Sequence, residues 1–114
     1  MNIRRGEIYL AALGPVVGKE ISKTRPVVVI SNDKNNEFSA TVTILPLTSR
    51  SLRKIYPFEV FLPKGAGNLP KDSKIKADQI RTLDKSRLLT LIGKLEEETI
   101  IQIERAVKIH LELS

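Results

Sequence analysis

The segment 23–30, Lys-Thr-Arg-Pro-Val-Val-Val-Ile, constrains the fold of this chain more than any other feature of its sequence. Four consecutive β-branched apolar residues are typical of a strand that is buried on both faces. Pro26 has no N–H to donate to a β-ladder, so it suits the first residue of a strand. It also disfavours the helical region for the residue before it, so Arg25 is expected to be extended. The segment predicts a rigid, buried strand with a guanidinium at its start.

The other apolar residues of the first three quarters of the chain fall into short runs separated by Gly-rich and Pro-rich segments. Strands are expected over 7–11, 27–30, 41–45, 58–62 and 73–77, and a strand-like run of ambiguous type covers 88–95. Loops are expected over 49–56 and 63–72, and a short helical turn over 34–38 after the capping residues 31–33.

The tail over 96–113 predicts an amphipathic helix. Its apolar residues recur at helical spacing and are Ile100, Ile103, Val107 and Leu111. The acidic residues 96–98 would lie in the first turn, where the helix dipole favours anions. Several short strands closed by one such helix predict a mainly β (α+β) fold: a small β-barrel with the C-terminal amphipathic helix packed on it, as one domain over 1–114.

Composition narrows the range of functions. With 19 Lys and Arg against 13 Asp and Glu, the net charge of +6 favours RNA, DNA or an acidic protein segment as partner. The absence of cysteine excludes a disulfide, a thiolate nucleophile and a cysteine-ligated zinc site. The single histidine, His110, excludes a paired-histidine ribonuclease mechanism. Residues 1–7 carry no apolar export segment and no apolar run approaches membrane-spanning length, so we expect a cytoplasmic protein without a membrane partner.

The familiar catalytic motifs are also absent from the sequence. There is no phosphate-binding GxxxxGK[ST] loop, no GxSxG nucleophile elbow and no metal-ligand spacing among the carboxylates, so no metal or other cofactor is expected. What remains is a set of polar residues at the ends of expected strands, which a small barrel can bring to one rim: Arg25, Asn32, Thr48, Ser73, Asp78, Gln79 and Arg81.

Arginine and threonine suit the cleavage of RNA without a metal ion, because the RNA supplies its own nucleophile. The 2′-hydroxyl attacks the adjacent phosphorus, and the protein aligns the reacting groups and stabilises charge. A guanidinium binds two phosphate oxygens at once, and a threonine hydroxyl can donate a hydrogen bond to the same charge. Arg25 and Thr48 are the candidates for these two roles.

Blocks of this sequence resemble the MazF/PemK/Kid toxin family. They are Arg-Gly-Glu-Ile-Tyr at 5–9, the Gly-Pro segment 14–20, Thr-Arg-Pro-Val-Val-Val-Ile-Ser-Asn-Asp at 24–33, the segment 41–48, and Gln-Ile-Arg-Thr-Leu-Asp-Lys-Ser-Arg-Leu at 79–88. Together they cover essentially the whole chain in order. The resemblance implies an SH3-like small β-barrel of the CcdB/PemK type that assembles as a homodimer.

The resemblance also implies the toxin of a type II toxin–antitoxin module, an mRNA interferase. Such a protein cleaves single-stranded RNA sequence-specifically without a metal and leaves 2′,3′-cyclic phosphate and 5′-hydroxyl ends. Its partner would be a MazE-like antitoxin whose acidic tail occupies the RNA groove, and DNA would be reached only through that antitoxin. Residue by residue, it implies catalytic roles for Arg25 and Thr48 and RNA contacts by Glu20, Asn32, Ser73 and Gln79.

Some parts of the chain are individual. Asp78 stands where close relatives often carry Glu, and the loops 49–56 and 63–72 would shape base recognition. Asp78 is a further RNA-binding candidate. Basic residues expected to border the RNA groove are Arg50, Arg53 and Lys54 of the first loop, with Lys19, Lys23, Lys74, Lys76 and Arg81.

Two alternatives stay open at this point. A CcdB-like toxin would share the fold and bind gyrase without catalysis. That mode depends on an aromatic residue at the extreme C-terminus, whereas this chain ends His-Leu-Glu-Leu-Ser. A catalytically inactive RNA-binding barrel is the other, and it is disfavoured because Arg25 and Thr48 are both present.

Overall fold

The structure, a computed structural model, describes residues 2–15, 17–20 and 23–114. Within these residues it contains seven strands and two α-helices. They are β1 (Glu7–Ala12), β2 (Thr24–Val29), α1 (Asp33–Phe38), β3 (Thr41–Thr48), β4 (Glu59–Leu62), β5 (Ser73–Lys76), β6 (Arg81–Asp84), β7 (Leu88–Lys94) and α2 (Glu97–Leu111). The predicted elements are all present, and β3 continues three residues past its expected end. Strand β6 was not predicted, and only Leu83 of its four residues is buried.

The strands form one antiparallel sheet in the order β4-β5-β3-β2-β1-β7. One edge of β3 pairs with β2, and its other edge is shared, first by β6 and then by β5. No ladder joins the end strands β4 and β7 within the described residues, so the barrel is open. The predicted mainly β fold with a C-terminal helix is confirmed.

Strand β2 is buried on both faces, as its β-branched run predicted. Val27 and Val29 belong to one apolar cluster and Val28 belongs to the other, and none of the three is exposed. The side chains of a strand alternate between its faces, so β2 joins two cores on opposite sides of the sheet. This makes β2 a rigid base for the residues at its start.

Helix α2 covers the sheet face on which Val28 lies. Ile100, Ile103 and Ala106 are buried there, and burying one such isoleucine contributes about 1.5–3 kcal/mol. The predicted apolar face is therefore correct for Ile100 and Ile103, and for Val107, which is partly buried against the same cluster. The fourth predicted member, Leu111, is 45% exposed and lies outside this cluster.

Candidate functional site

Arg25 and Thr48 lie at the adjoining ends of two neighbouring strands, near the start of β2 and at the end of β3. The β2–β3 ladder pairs Val27 with Pro46 and Val29 with Ile44. Continuing this antiparallel register by two residues places Arg25 opposite Thr48. Directly opposed side chains share a face, with Cβ atoms about 4.5–5.5 Å apart. The start of β2 and the end of β3 thus bring the two predicted catalytic residues together at one end of the sheet.

Ser73 joins this pair because β5 begins at the same end of the sheet. The β3–β5 ladder pairs Thr48 with Lys74, so Ser73 lies one residue beyond. A cavity of about 180 Å³ opens here. It is lined by Arg25, Pro26, Leu47, Thr48, Ser49, Leu69, Pro70, Lys71 and Ser73, and we call it the rim cavity.

The hydroxyl of Thr48 is oriented by the chain that follows it. Its Oγ1 accepts a hydrogen bond of 3.1 Å from the backbone N–H of Arg50. A hydroxyl that accepts a hydrogen bond can still donate its own proton to another group. The backbone contact therefore fixes the position of Oγ1 and leaves its O–H able to point at an anion in the rim cavity.

One wall of the rim cavity comes from the loop 63–72, which β7 holds in place. A Cβ atom on Gly93 would lie 2.2 Å from the carbonyl oxygen of Gly67, so the two backbones approach more closely than any side chain permits. Asn68 Nδ2 also donates to the Ile92 carbonyl oxygen at 3.1 Å. This close approach fixes the stretch around Leu69 that lines the cavity.

Four of the eight predicted RNA-binding residues lie around a second cavity of about 480 Å³. Its lining residues come from the β1–β2 loop, from β3 and from the segment that joins β5 to β6: Pro15, Val17, Glu20, Pro46, Asp78, Gln79, Ile80 and Arg81. Pro46 lies two residues before Thr48 on β3, and side chains at that spacing share a face. The second cavity is therefore next to the rim cavity, on the sheet face that carries Arg25 and Thr48.

Asp78 gives the second cavity an acceptor for hydrogen bonds. Its Oδ1 is buried and has no hydrogen-bond partner among the described residues, and Lys76 Nζ lies 3.7 Å away. The Asp78 side chain as a whole is 30% exposed and lines the cavity, so its carboxylate can accept from an N–H group of a ligand. Gln79 Nε2 makes a long contact of 3.5 Å to the Lys19 carbonyl oxygen, which links the β1–β2 loop to this cavity.

Arg53 and Lys54 lie apart from these two cavities, in a third of about 510 Å³. Ser51, Tyr56, Phe58, Glu59, Lys74 and Lys76 complete its lining, and we call it the loop pocket. Lys76 contributes to the loop pocket and Asp78 to the second cavity, so their contact marks the border between them. The predicted basic surface therefore adjoins the second cavity.

Asn32 is a predicted site residue that lines none of these three cavities. It follows the far end of β2 from Arg25, about 15 Å or more along the strand. Its side chain caps α1 by accepting a hydrogen bond of 2.8 Å from the backbone N–H of Asn35. Asn32 and Arg25 cannot hold the same phosphate, and an RNA contact by Asn32 stays a prediction.

Comparison with known proteins identifies the family of this chain. Residues 4–111 match the family model described as the PemK-like, MazF-like toxin of the type II toxin–antitoxin system. The chain belongs to this toxin family. The match does not favour the gyrase-binding alternative.

Individual relatives of this toxin agree with that assignment. It is 39% identical to endoribonuclease MazF9 of Mycobacterium tuberculosis, over 97% of this chain and 98% of the relative. A crystal structure of MazF from Deinococcus radiodurans superposes with a TM-score of 0.83 at 26% identity, covering 98% of each chain. A mycobacterial endoribonuclease in complex with its cognate antitoxin gives 0.77 at 25% identity, covering 99% of this chain and 96% of that one.

Lys74 of the toxin lines the loop pocket but offers no free charge to an RNA groove, so its predicted role as an exposed basic residue was wrong. Its side chain is buried, and its Nζ donates to the carbonyl oxygens of Ser51 at 2.8 Å and Lys54 at 3.2 Å. The third donor goes to Glu59 Oε1 at 3.0 Å. An ammonium has three donors, and a buried one must pair them. Lys74 therefore ties the loop 49–56 of the toxin to β4 and β5.

Glu59 completes this buried charge cluster, and the sequence analysis did not single it out. Its Oε2 accepts from Lys76 Nζ at 2.7 Å while Oε1 pairs with Lys74. Burial acts to raise the pKa of Glu59, but hydrogen bonds from Lys76, the Tyr56 backbone and Lys74 outweigh it, so the pKa lies below its usual value. Glu59 is thus a structural anion. One feature of the sequence could have indicated this cluster: Glu59 lies on an expected strand, and the next expected strand carries Lys74 and Lys76 two residues apart.

The described part of the toxin offers no cluster of metal-ligating side chains. No group of three or more His, Cys, Asp or Glu side chains is arranged there to hold a metal ion. Among those residues, no helix combines the length and apolar character needed to cross a bilayer.

Proposed function

We propose that this toxin is a sequence-specific, metal-independent endoribonuclease that cleaves single-stranded mRNA. The observation that carries the proposal is that Arg25 and Thr48, at the adjoining ends of β2 and β3, line the same rim cavity. An arginine fork and a hydroxyl donor on two rigid strands can hold one phosphate between them. The endoribonuclease relatives support the same activity.

The proposed reaction uses the nucleophile that RNA carries. The 2′-hydroxyl oxygen bonds to the adjacent phosphorus, the bond from phosphorus to the 5′-oxygen breaks, and the ends are a 2′,3′-cyclic phosphate and a 5′-hydroxyl. Arg25 binds the non-bridging oxygens and Thr48 donates to them as charge develops. A guanidinium keeps its proton in proteins, so proton transfer falls to solvent or a neighbouring group.

The second cavity is proposed to read the bases of the substrate. Asp78 and Glu20 offer carboxylate acceptors for exocyclic amino groups, and Gln79 and Arg81 offer donors. Ser73 would contact the substrate at the rim, and Arg53 and Lys54 would contact phosphates beside it. This arrangement separates the groups that specify sequence from those that position the backbone.

The proposed protein partner is a MazE-like antitoxin with an acidic tail. A mycobacterial relative is an endoribonuclease in complex with its cognate antitoxin, and MazE–MazF complexes of Deinococcus radiodurans share the fold. A net charge of +6 suits an acidic tail and RNA alike, so the two would compete for one surface. DNA would be reached only through the antitoxin, no cofactor is needed, and the toxin would act in the cytoplasm, where mRNA is available.

The toxin is expected to be a homodimer. Strand β7 is an end strand whose Leu89 and Leu91 are 51% and 52% exposed, and apolar residues on an unpaired edge favour association. Two copies would also form a longer groove than one chain offers. Light scattering at micromolar concentration should give the mass of two chains of 12.8 kDa. A single-chain mass would contradict the dimer.

Cleavage should proceed in EDTA. Purified toxin, incubated with a mixed RNA pool in the presence of the chelator, should yield fragments whose mapped 5′ ends share a short sequence and carry a 5′-hydroxyl. The physical reason is that Arg25 supplies the charge stabilisation for which other nucleases use a metal. Activity that is lost in EDTA and restored by Mg²⁺ or Mn²⁺ would contradict the proposal.

A further inference from the structure

An aromatic stack lies at the loop pocket and has no role in the proposed cleavage. The rings of Tyr56 and Phe58 lie 5.4 Å apart, centroid to centroid, with an angle of 7° between their planes. His110 of α2 packs against Phe58 at 6.1 Å with a tilt of 51°. Phe58 is thus held between two rings, while Tyr56 remains 42% exposed. The Tyr56 ring is therefore an accessible aromatic surface that Phe58 and His110 hold in place.

Positive charge surrounds this aromatic surface. Lys54 Nζ lies 4.8 Å from the centre of the Tyr56 ring, and Arg53 lines the same pocket. At the base of the pocket Glu59 pairs with Lys74 and Lys76. The positive charge of the pocket therefore comes from the exposed Arg53 and Lys54. Proteins that bind single-stranded nucleic acids combine an aromatic face, on which a base stacks, with cations that contact the phosphates.

The loop pocket is also adjacent to the catalytic rim. Lys74 of β5 is paired with Thr48 of β3, and neighbouring strands lie about 4.8 Å apart. Lys76 lies two residues after Lys74 and therefore on the same face of β5. Both lysines line the pocket. An RNA strand with one phosphate held at Arg25 and Thr48 therefore has a neighbouring nucleotide within reach of Tyr56.

We propose that the loop pocket is a subsite for the base of a nucleotide that flanks the scissile phosphate. The inference rests on the proposed function and adds a binding role for Tyr56. The base stacks on the Tyr56 ring, and Lys54 leaves the ring to contact a phosphate together with Arg53. The pocket volume of about 510 Å³ is in the range of small-molecule sites. Because every base has an aromatic face, the subsite adds affinity without changing which sequence is cut.

Fluorescence tests this subsite directly because the chain contains no tryptophan. Tyr56→Trp, made in the Arg25→Ala background so that the RNA stays intact, introduces one reporter. A short oligoribonucleotide containing the mapped cleavage sequence should quench its emission to saturation. Phe61→Trp is the matched control, since Phe61 is also 42% exposed and lies on β4 outside the pocket. Its emission should not change.

Binding measurements complete the test. In the same background, Tyr56→Ala should weaken binding of that oligoribonucleotide about tenfold, and Tyr56→Phe should preserve it. With Arg25 intact, Tyr56→Ala should leave the cleavage sequence unchanged. RNA binding without quenching of the Tyr56→Trp reporter, or equal quenching of both reporters, would overturn the subsite and leave the proposed function standing. Quenching by a polyglutamate peptide but not by RNA would reassign the pocket to an acidic protein partner. Neither binding nor cleavage of RNA by the unmodified toxin would overturn both.

Discussion

Arg25→Ala is expected to lower the rate of RNA cleavage by at least about 100-fold, the scale set by removal of one preorganised charge-stabilising group. Its guanidinium lies at the start of a strand that is buried on both faces, so its position needs no reorganisation during the reaction. Arg25→Lys should recover little of the loss, because an ammonium is a point charge and lacks the planar fork that binds two oxygens. The measurement is single-turnover cleavage of a defined oligoribonucleotide.

The fold should survive this substitution, because the half-exposed Arg25 side chain belongs to neither apolar cluster. Thermal unfolding of Arg25→Ala should therefore match that of the unmodified toxin. Arg105→Ala, at an exposed position on α2, controls for the general loss of one positive charge and should keep nearly full activity. Near-normal cleavage by Arg25→Ala would remove Arg25 from the catalytic site.

Glu59→Gln is expected to lower the free energy of unfolding by about 3–5 kcal/mol, the range for breaking a buried ion pair by removing one partner. The substitution leaves the buried ammonium of Lys74 with two carbonyl oxygens and no counter-charge. Glu104→Gln is the matched control. Glu104 forms an ion pair of 2.8 Å with Arg5, but its side chain is 47% exposed, so the loss should stay below about 1 kcal/mol. Urea denaturation measures both values, and equal losses would contradict a special role for the buried cluster.

The stability that Glu59 contributes should depend on pH in a stated direction. Its pKa in the folded protein is depressed, so its contribution is fully present above the unfolded value of 4.5 and is lost as the pH falls through the folded value. The difference in unfolding free energy between the unmodified toxin and Glu59→Gln should therefore shrink below about pH 4.5.

The sequence predicted the parts of this toxin that depend on local pattern. The β-branched run after Pro26 predicted β2, and the helical spacing of Ile100 and Ile103 predicted α2 and its buried face. The proline also predicted an extended Arg25 near the start of β2, but the strand begins at Thr24, so Pro26 is its third residue and not its first. Thr48 joined Arg25 because hairpin-like antiparallel pairing brings the start of one strand to the end of the next.

Features that depend on contacts between distant segments were not predicted. Lys74 reads as one more surface lysine until β4 pairs with β5 and places Glu59 beside it. Strand β6 is short and mostly exposed, so it carries little apolar periodicity, and only pairing with β3 makes it a strand. The stack of Tyr56 on Phe58 depends on the conformation of the loop that Lys74 fixes.

The predicted RNA-binding residues are divided among different parts of the structure, and this division also depends on contacts between distant segments. Glu20 and Gln79 are 59 positions apart in the chain and meet only because the β1–β2 loop packs over the segment after β5. Asn32 was grouped with them as a strand-end residue, but it follows the opposite end of β2 from Arg25. Which end of a strand a residue occupies, relative to its neighbours, is set by the topology of the sheet.

A double-mutant cycle tests most directly whether Arg25 and Thr48 act on one phosphate. Single-turnover cleavage would be measured for the unmodified toxin, Arg25→Ala, Thr48→Ala and the double variant, each with its unfolding temperature recorded. Residues that act as one unit are strongly non-additive, so the double variant should be about as slow as Arg25→Ala alone. Losses that multiply, with the double variant slower by the product of the two single effects, would contradict a shared phosphate and would place the two residues in separate steps.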